Sequence, residues 1–137
     1  MPPFLASLMQ WLNSGVNMKV FVYFNLHRKC WSVKALEGPT KGRVVRHTDD
    51  IVLSSCTFKV SETGRQRVLK ERRKNVHAGV VGTIVNPSSL DRVVHLVPVT
   101  YNPYKAGTFV TKPDGAPIYA ADVVFLQHRQ VLSATWF

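Results

Sequence analysis

Arg65, Arg67, Lys70, Arg72, Arg73 and Lys74 place six positive charges within ten residues, opposed only by Glu71. On a helix, Arg65, Val68 and Arg72 share a stripe, while Arg67, Lys70, Arg73 and Lys74 fall on neighbouring faces. An arginine fork donates two parallel hydrogen bonds to a phosphate, which a lysine cannot do. The run therefore points to an anionic ligand that carries phosphate. Thr63-Gly64 at a helix start would leave backbone N–H groups free beside Arg65 and Arg67, a further way to hold a phosphate. Glu62 is a carboxylate that competes for the same place. The run reads as ligand-binding rather than structural, so losing Arg65 and Arg67 is expected to remove binding and leave folding intact.

Four histidines, His27, His47, His77 and His128, lie beside charged neighbours. His47 precedes Asp49-Asp50, and with His77 it makes a weak candidate acid–base pair for phosphodiester cleavage. His27-x-x-Cys30 with Cys56 resembles a fragment of a zinc site. Zinc sites pair close ligands on both sides, and Cys56 has no near partner, so no metal is expected. No cofactor is expected either. Tyr101 and Tyr104 flank Asn102-Pro103, and Trp31 lies in the basic half. Such aromatics stack on bases when they border basic loops, or else form a rigid turn against the core.

Short strands must position these residues. Lys19–Leu26 is β-prone, His27-Arg28-Lys29 is a tight basic connection, and Trp31, Val33 and Ala35 alternate on one face of the next strand. A Gly-Pro loop leads to Arg43–His47, and Asp49-Asp50 turns the chain into Ile51–Val60. On that strand Val52, Cys56, Phe58 and Val60 are expected to share a face. Ser61 is a natural N-cap for a helix reaching Lys74, with a hairpin arm as the rival conformation. Val76–Val85 returns to strand, where Gly79 and Gly82 signal a bulge or close packing. Asn86–Arg92 is a turn-rich connection. Val93–Thr100 carries Pro98, which argues for an edge strand, and 108–119 has the form of a hairpin around Pro113-Asp114-Gly115. Strands at Asp122–Gln127 and Val131–Trp136 close the chain. The pattern predicts an α+β fold: a small, mostly antiparallel meander or open barrel with one short basic helix.

The chain has 137 residues, 45% of them apolar, and a net charge of +10, which fits one folded domain and excludes global disorder. From Lys19 to Lys74 there are fourteen Lys and Arg against five Asp and Glu, whereas the remainder is almost neutral. A positive field concentrated in this way attracts polyanions. Two cysteines suit a reducing compartment and two buried thiols. No apolar stretch is long enough to span a bilayer, so no membrane partner is expected. Residues 1–17 carry no charge; Leu5, Leu8, Met9 and Leu12 suit a short leader helix or an upstream start-codon artefact, with a single domain over 18–137.

Five segments carry a resemblance: Asn25–Val33, Gly42–His47, Gly64–Leu69, Arg73–Gly79 and Tyr101–Tyr104. In these the chain resembles a family of small proteins encoded by tailed bacteriophages, in sequence pattern rather than in activity. The resemblance implies an accessory product acting in the cytoplasm of an infected bacterium, for host takeover or counter-defence. The candidate ligand-binding residues are His27, Arg28, Lys29, Arg43, Arg46, His47, Arg65, Arg67, Arg72, Arg73, Lys74, Asn75, His77, Tyr101 and Tyr104. The expected partner is a nucleotide or nucleic acid, bound rather than converted. Alternatives are docking on an acidic host protein, with homo-oligomerisation open, or metal-independent phosphodiesterase activity.

Overall fold

Val20 and Val22 alternate with more exposed residues along β1 (Lys19–Asn25), and Trp31, Val33 and Ala35 share one side of β2 (Cys30–Ala35), whose other side carries half-buried Cys30 and Lys34 and buried Ser32. The two pair with Val22 opposite Val33, so both apolar rows face one side. This is the face expected for β2. The computed structural model describes residues 18–86 and 93–136. Both the leader and most of the 86–92 connection lie outside the described residues.

The other elements are β3 (Val44–Thr48), β4 (Asp50–Val60), α1 (Glu62–Glu71), β5 (Ala78–Ile84), β6 (Val93–Thr100), β7 (Val110–Thr111), β8 (Ala120–Gln127) and β9 (Gln130–Trp136). They form one nine-stranded sheet in the order β3-β2-β1-β5-β4-β8-β9-β6-β7, and its paired strands are all antiparallel. The expected α+β class is thereby corrected: the fold is nearly all-β, an open sheet with one ten-residue helix among the described residues. The helix is not a layer over the sheet. It is an insertion in the β4–β5 hairpin, which closes at Val60 opposite Ala78, and Val68 is its only buried residue.

The sheet is strongly curled. Thr48 ends β3 and Asp50 starts β4, so their Cα atoms are at most about 7 Å apart. In a flat sheet the three intervening strands would hold β3 and β4 about 19 Å apart. The β2–β3 flank must therefore fold over the inner face. The opposite flank does the same, because Phe109 after β6 packs on Phe58 of β4 with ring centroids 5.0 Å apart. Val20, Val22, Val33, Leu53, Val124 and Leu126 are fully buried between the flanks.

Three expectations about strands need correction. The core face of β4 is Ile51 and Leu53, then Cys56 and Phe58, rather than Val52 and the even positions throughout. A bulge at Ser54–Thr57, with Ser55 at φ 51°, inserts a residue and switches the alternation. Gly79 and Gly82 are then sites of close packing: a Cβ at Gly79 would lie 2.5 Å from Val22 O, and one at Gly82 would lie 2.9 Å from Leu53 Cβ. Pro98 lies in the penultimate strand, not the edge. Its carbonyl accepts from Lys112 N on the β7 side, where the ladder reaches only Val99 and Thr100, so its missing N–H is not needed there. The 108–119 hairpin shrinks to β7 and one bridge, Val110 to Pro117.

Both cysteines are free thiols, Cys56 buried and Cys30 only half-buried. Burial pushes the Cys56 thiol up to about 12, which leaves on the order of one thiolate in ten thousand at pH 8. Iodoacetamide at that pH is expected to label Cys30 in the native protein and Cys56 only after unfolding. Peptide mapping that finds Cys56 labelled as fast as Cys30 would refute this packing.

Candidate functional site

Ser61 follows β4 in extended conformation, and its Oγ accepts from Gly64 N at 3.2 Å, which starts α1 as expected. That bond fills part of the helix terminus suggested as a phosphate subsite, and Glu62 occupies the same end. Glu62 accepts from Gln66 Nε2 at 2.7 Å and Arg65 Nη1 at 3.2 Å, and these bonds hold its carboxyl below the usual carboxylate range, Gln66 contributing most.

The helix stops sooner than expected. Arg72 adopts the left-handed conformation (φ 56°) and its N–H bonds to Val68 O. This C-cap geometry ordinarily belongs to glycine, and it turns Arg72, Arg73 and Lys74 out of the helix into an irregular run to His77. Arg65 therefore parts company with Arg72. Its Nε donates to Pro103 O at 3.0 Å while Nη1 holds Glu62. Arg65 thus straps α1 to the loop after β6.

His77 is fixed from both sides. Its Nδ1 lies 2.8 Å from Asn75 O, an acceptor only, so Nδ1 carries the proton. Nε2 then accepts from Tyr101 OH at 2.6 Å. Burial holds the Tyr101 phenol above its ordinary value. Gly64 permits this arrangement, because a Cβ there would meet His77 Cβ at 2.6 Å.

These constraints build a cleft of about 570 Å³. Arg72, Lys74, Asn75, Val76 and His77 form one wall, Tyr101 to Tyr104 another, and Phe24 and Leu26 at the end of β1 a third. Leu26, Val76 and Tyr104 are apolar yet about half exposed, all three on this rim. A second cleft of about 350 Å³ adjoins it, sharing Phe24, Leu26, Ala78 and Tyr101 and extending to Trp31, Phe109, Val131 and Arg129.

Six of the expected residues thus meet: Arg72, Lys74, Asn75, His77, Tyr101 and Tyr104. His27, Arg28 and Lys29 are exposed on the turn beside Leu26, ordered by Asn25 Oδ1 accepting from His27 N and Arg28 N. Arg67 and Arg73 are exposed and outside the cleft lining. Arg43 sits at the far end of β2, where its carbonyl accepts from Ala35 N. Arg46 lines a separate cleft with Asp50, Phe125 and Gln127. His47 Nδ1 bonds to buried Ser32 Oγ at 2.9 Å, so neither cleft lining that holds His77 or Trp31 includes it. Among the described residues no group of three or more His, Cys, Asp or Glu is placed to hold a metal ion. No helix among them is long and apolar enough to cross a membrane.

Sequence reasoning missed Phe24, Leu26, Val76 and Arg129. Arg129 lies in the two-residue β8–β9 turn, far from the charge run, and reaches to 5.6 Å from the Phe24 ring centroid. The only signal was one arginine in a hairpin turn.

The sequence matches the family model described as Mycobacterium phage L5 gene 82 protein over residues 13–134. The chain belongs to that phage protein family. It is 42% identical to the gene 82 protein of Mycobacterium phage L5 over 123 residues, covering 85% of this chain and 96% of that relative. No solved structure matches. The family match spans both clefts, from Tyr23 to Val131.

Proposed function

We propose that this phage protein binds a nucleotide unit in the Arg72–Tyr104 cleft and sequesters it rather than converting it. The observation that carries this reading is the convergence of Arg72 and Lys74 with Tyr101, Tyr104 and Phe24 around one space of about 570 Å³. Clefts of a few hundred Å³ suit small ligands, the aromatics offer faces to a base, and the cations offer donors to its phosphate. Cleavage is the weaker reading because the Nε2 lone pair of His77 is taken up by Tyr101 OH and His47 is bonded to Ser32. The place of action we infer is the host cytoplasm during infection, where removing a nucleotide signal or holding nucleic acid would serve counter-defence or host takeover.

Arg72→Gly with Lys74→Ala tests the reading. Glycine suits the left-handed geometry at position 72, so the backbone is kept while the guanidinium is lost. Calorimetric titration with AMP is expected to show affinity falling at least about tenfold, roughly the loss of one charge-assisted hydrogen bond, with the thermal midpoint maintained. Arg43→Ala, at the far end of the sheet, is expected to bind as wild type. Equal loss in both variants would mean diffuse charge and no site.

A further inference from the structure

We infer that the cleft at Trp31 and Arg129 is a second subsite for the same ligand, which therefore carries two nucleobases joined through phosphate. This rests on the nucleotide reading of the first cleft. The two clefts adjoin, with Phe24 and Tyr101 lining both. Each has aromatic walls and its own cations, Arg72 with Lys74 in the first and Arg129 in the second.

Two features of the second cleft are unexplained by folding alone. Trp31 lines it and is 6% exposed, yet its Nε1–H is buried with no hydrogen-bond partner among the described residues. Buried donors are normally satisfied; a ring nitrogen or carbonyl of a base is an acceptor of the right kind, which this N–H meets once the indole turns toward the cleft. Arg129 is exposed on a two-residue turn whose other member, His128, holds φ 54°. Tight hairpin turns reserve such a position for glycine or asparagine. No carboxylate holds the Arg129 guanidinium at salt-bridge distance among the described residues; it lies over the Phe24 ring, on the divide between the clefts. A phosphodiester bridging two bases, one in each cleft, would pass this divide. The phosphate charge meets Arg129, and the second base meets Phe24 and Trp31.

The experiment compares AMP, the linear dinucleotide pApA and a twelve-residue oligoadenylate by calorimetric titration. The wild type is expected to bind pApA at least about tenfold more tightly than AMP, the factor that stacking of one further base supplies. Arg129→Ala, a change at an exposed turn, is expected to abolish that advantage and leave AMP affinity unchanged. Trp31→Phe removes the N–H together with part of the buried indole; read as the ratio of pApA to AMP affinity, which a general loss of packing lowers for both ligands alike, it should reduce the advantage in the same direction. If the oligoadenylate binds like pApA, the source is a free dinucleotide; if it binds tighter still, the source is a single strand, and both results retain two subsites. Wild type binding pApA no better than AMP, or Arg129→Ala keeping the advantage, overturns the second subsite alone. Wild type failing to bind AMP overturns the nucleotide reading itself.

Discussion

Leu53→Ala is expected to destabilise the protein by about 3–4 kcal/mol, the largest loss from any single truncation proposed for this fold. Leu53 is fully buried at the centre of β4, paired to Ile84 of β5 on one side and Val124 of β8 on the other. Backbone ladders on both sides keep the strand from collapsing inward, so the cavity persists and adds to the lost transfer energy. Against a total stability of about 5–15 kcal/mol this is a severe loss. In urea the midpoint should fall with the slope unchanged. Val52→Ala, half-buried on the other face, should cost less than about 1.5 kcal/mol. The pair also tests the bulge. Simple period-two alternation running back from Cys56 puts Val52 in the core, so a larger loss at Val52 than at Leu53 would refute the switch at Ser55.

That contrast shows what was legible in the sequence. Alternation on β2 and the Ser61 cap were readable because each depends on neighbours along the chain: period two for one, a side-chain oxygen three residues from its donor for the other. The bulge was not, since Ser54-Ser55-Cys56 carries no glycine to announce a positive φ. The class was misjudged because helix propensity in 66–74 gives no hint that the helix would be a hairpin insertion rather than a layer. For the site, the charge run contains Arg72 and Lys74, which line the cleft, alongside Arg67 and Arg73, which do not. Arg72 and Lys74 reach the cleft only because the helix breaks at a non-glycine C-cap, which local propensity disfavours. Arg129 and Phe24 enter through the curling of a nine-stranded sheet, a long-range property that no local window contains.

Arg65→Ala is expected to lower stability by about 1.5–3 kcal/mol and to weaken AMP binding as well, although Arg65 lies outside the cleft lining. The estimate rests on the charged donor to the partly buried Pro103 carbonyl; the exposed Glu62 contact is left out of it. Since α1 buries only Val68, this strap is a large part of what holds the helix to the 101–107 loop. Without it, the wall carrying Arg72 and Lys74 and the wall carrying Tyr101 and Tyr104 lose their common frame. Hydrogen exchange should accelerate in α1 and around Tyr101–Gly107, while the central pairing of β4 with β5 and β8 keeps its protection. Arg65→Lys separates positioning from direct contact. A lysine keeps the charge but cannot span Pro103 and Glu62 with one planar fork. It should therefore fail to restore either stability or binding, whereas a phosphate-contacting residue would be partly rescued. Arg67→Ala, one position beyond Gln66 on the exposed side, should leave stability unchanged. Binding lost in Arg65→Ala with stability and exchange both unchanged would make Arg65 a ligand contact and refute the strap.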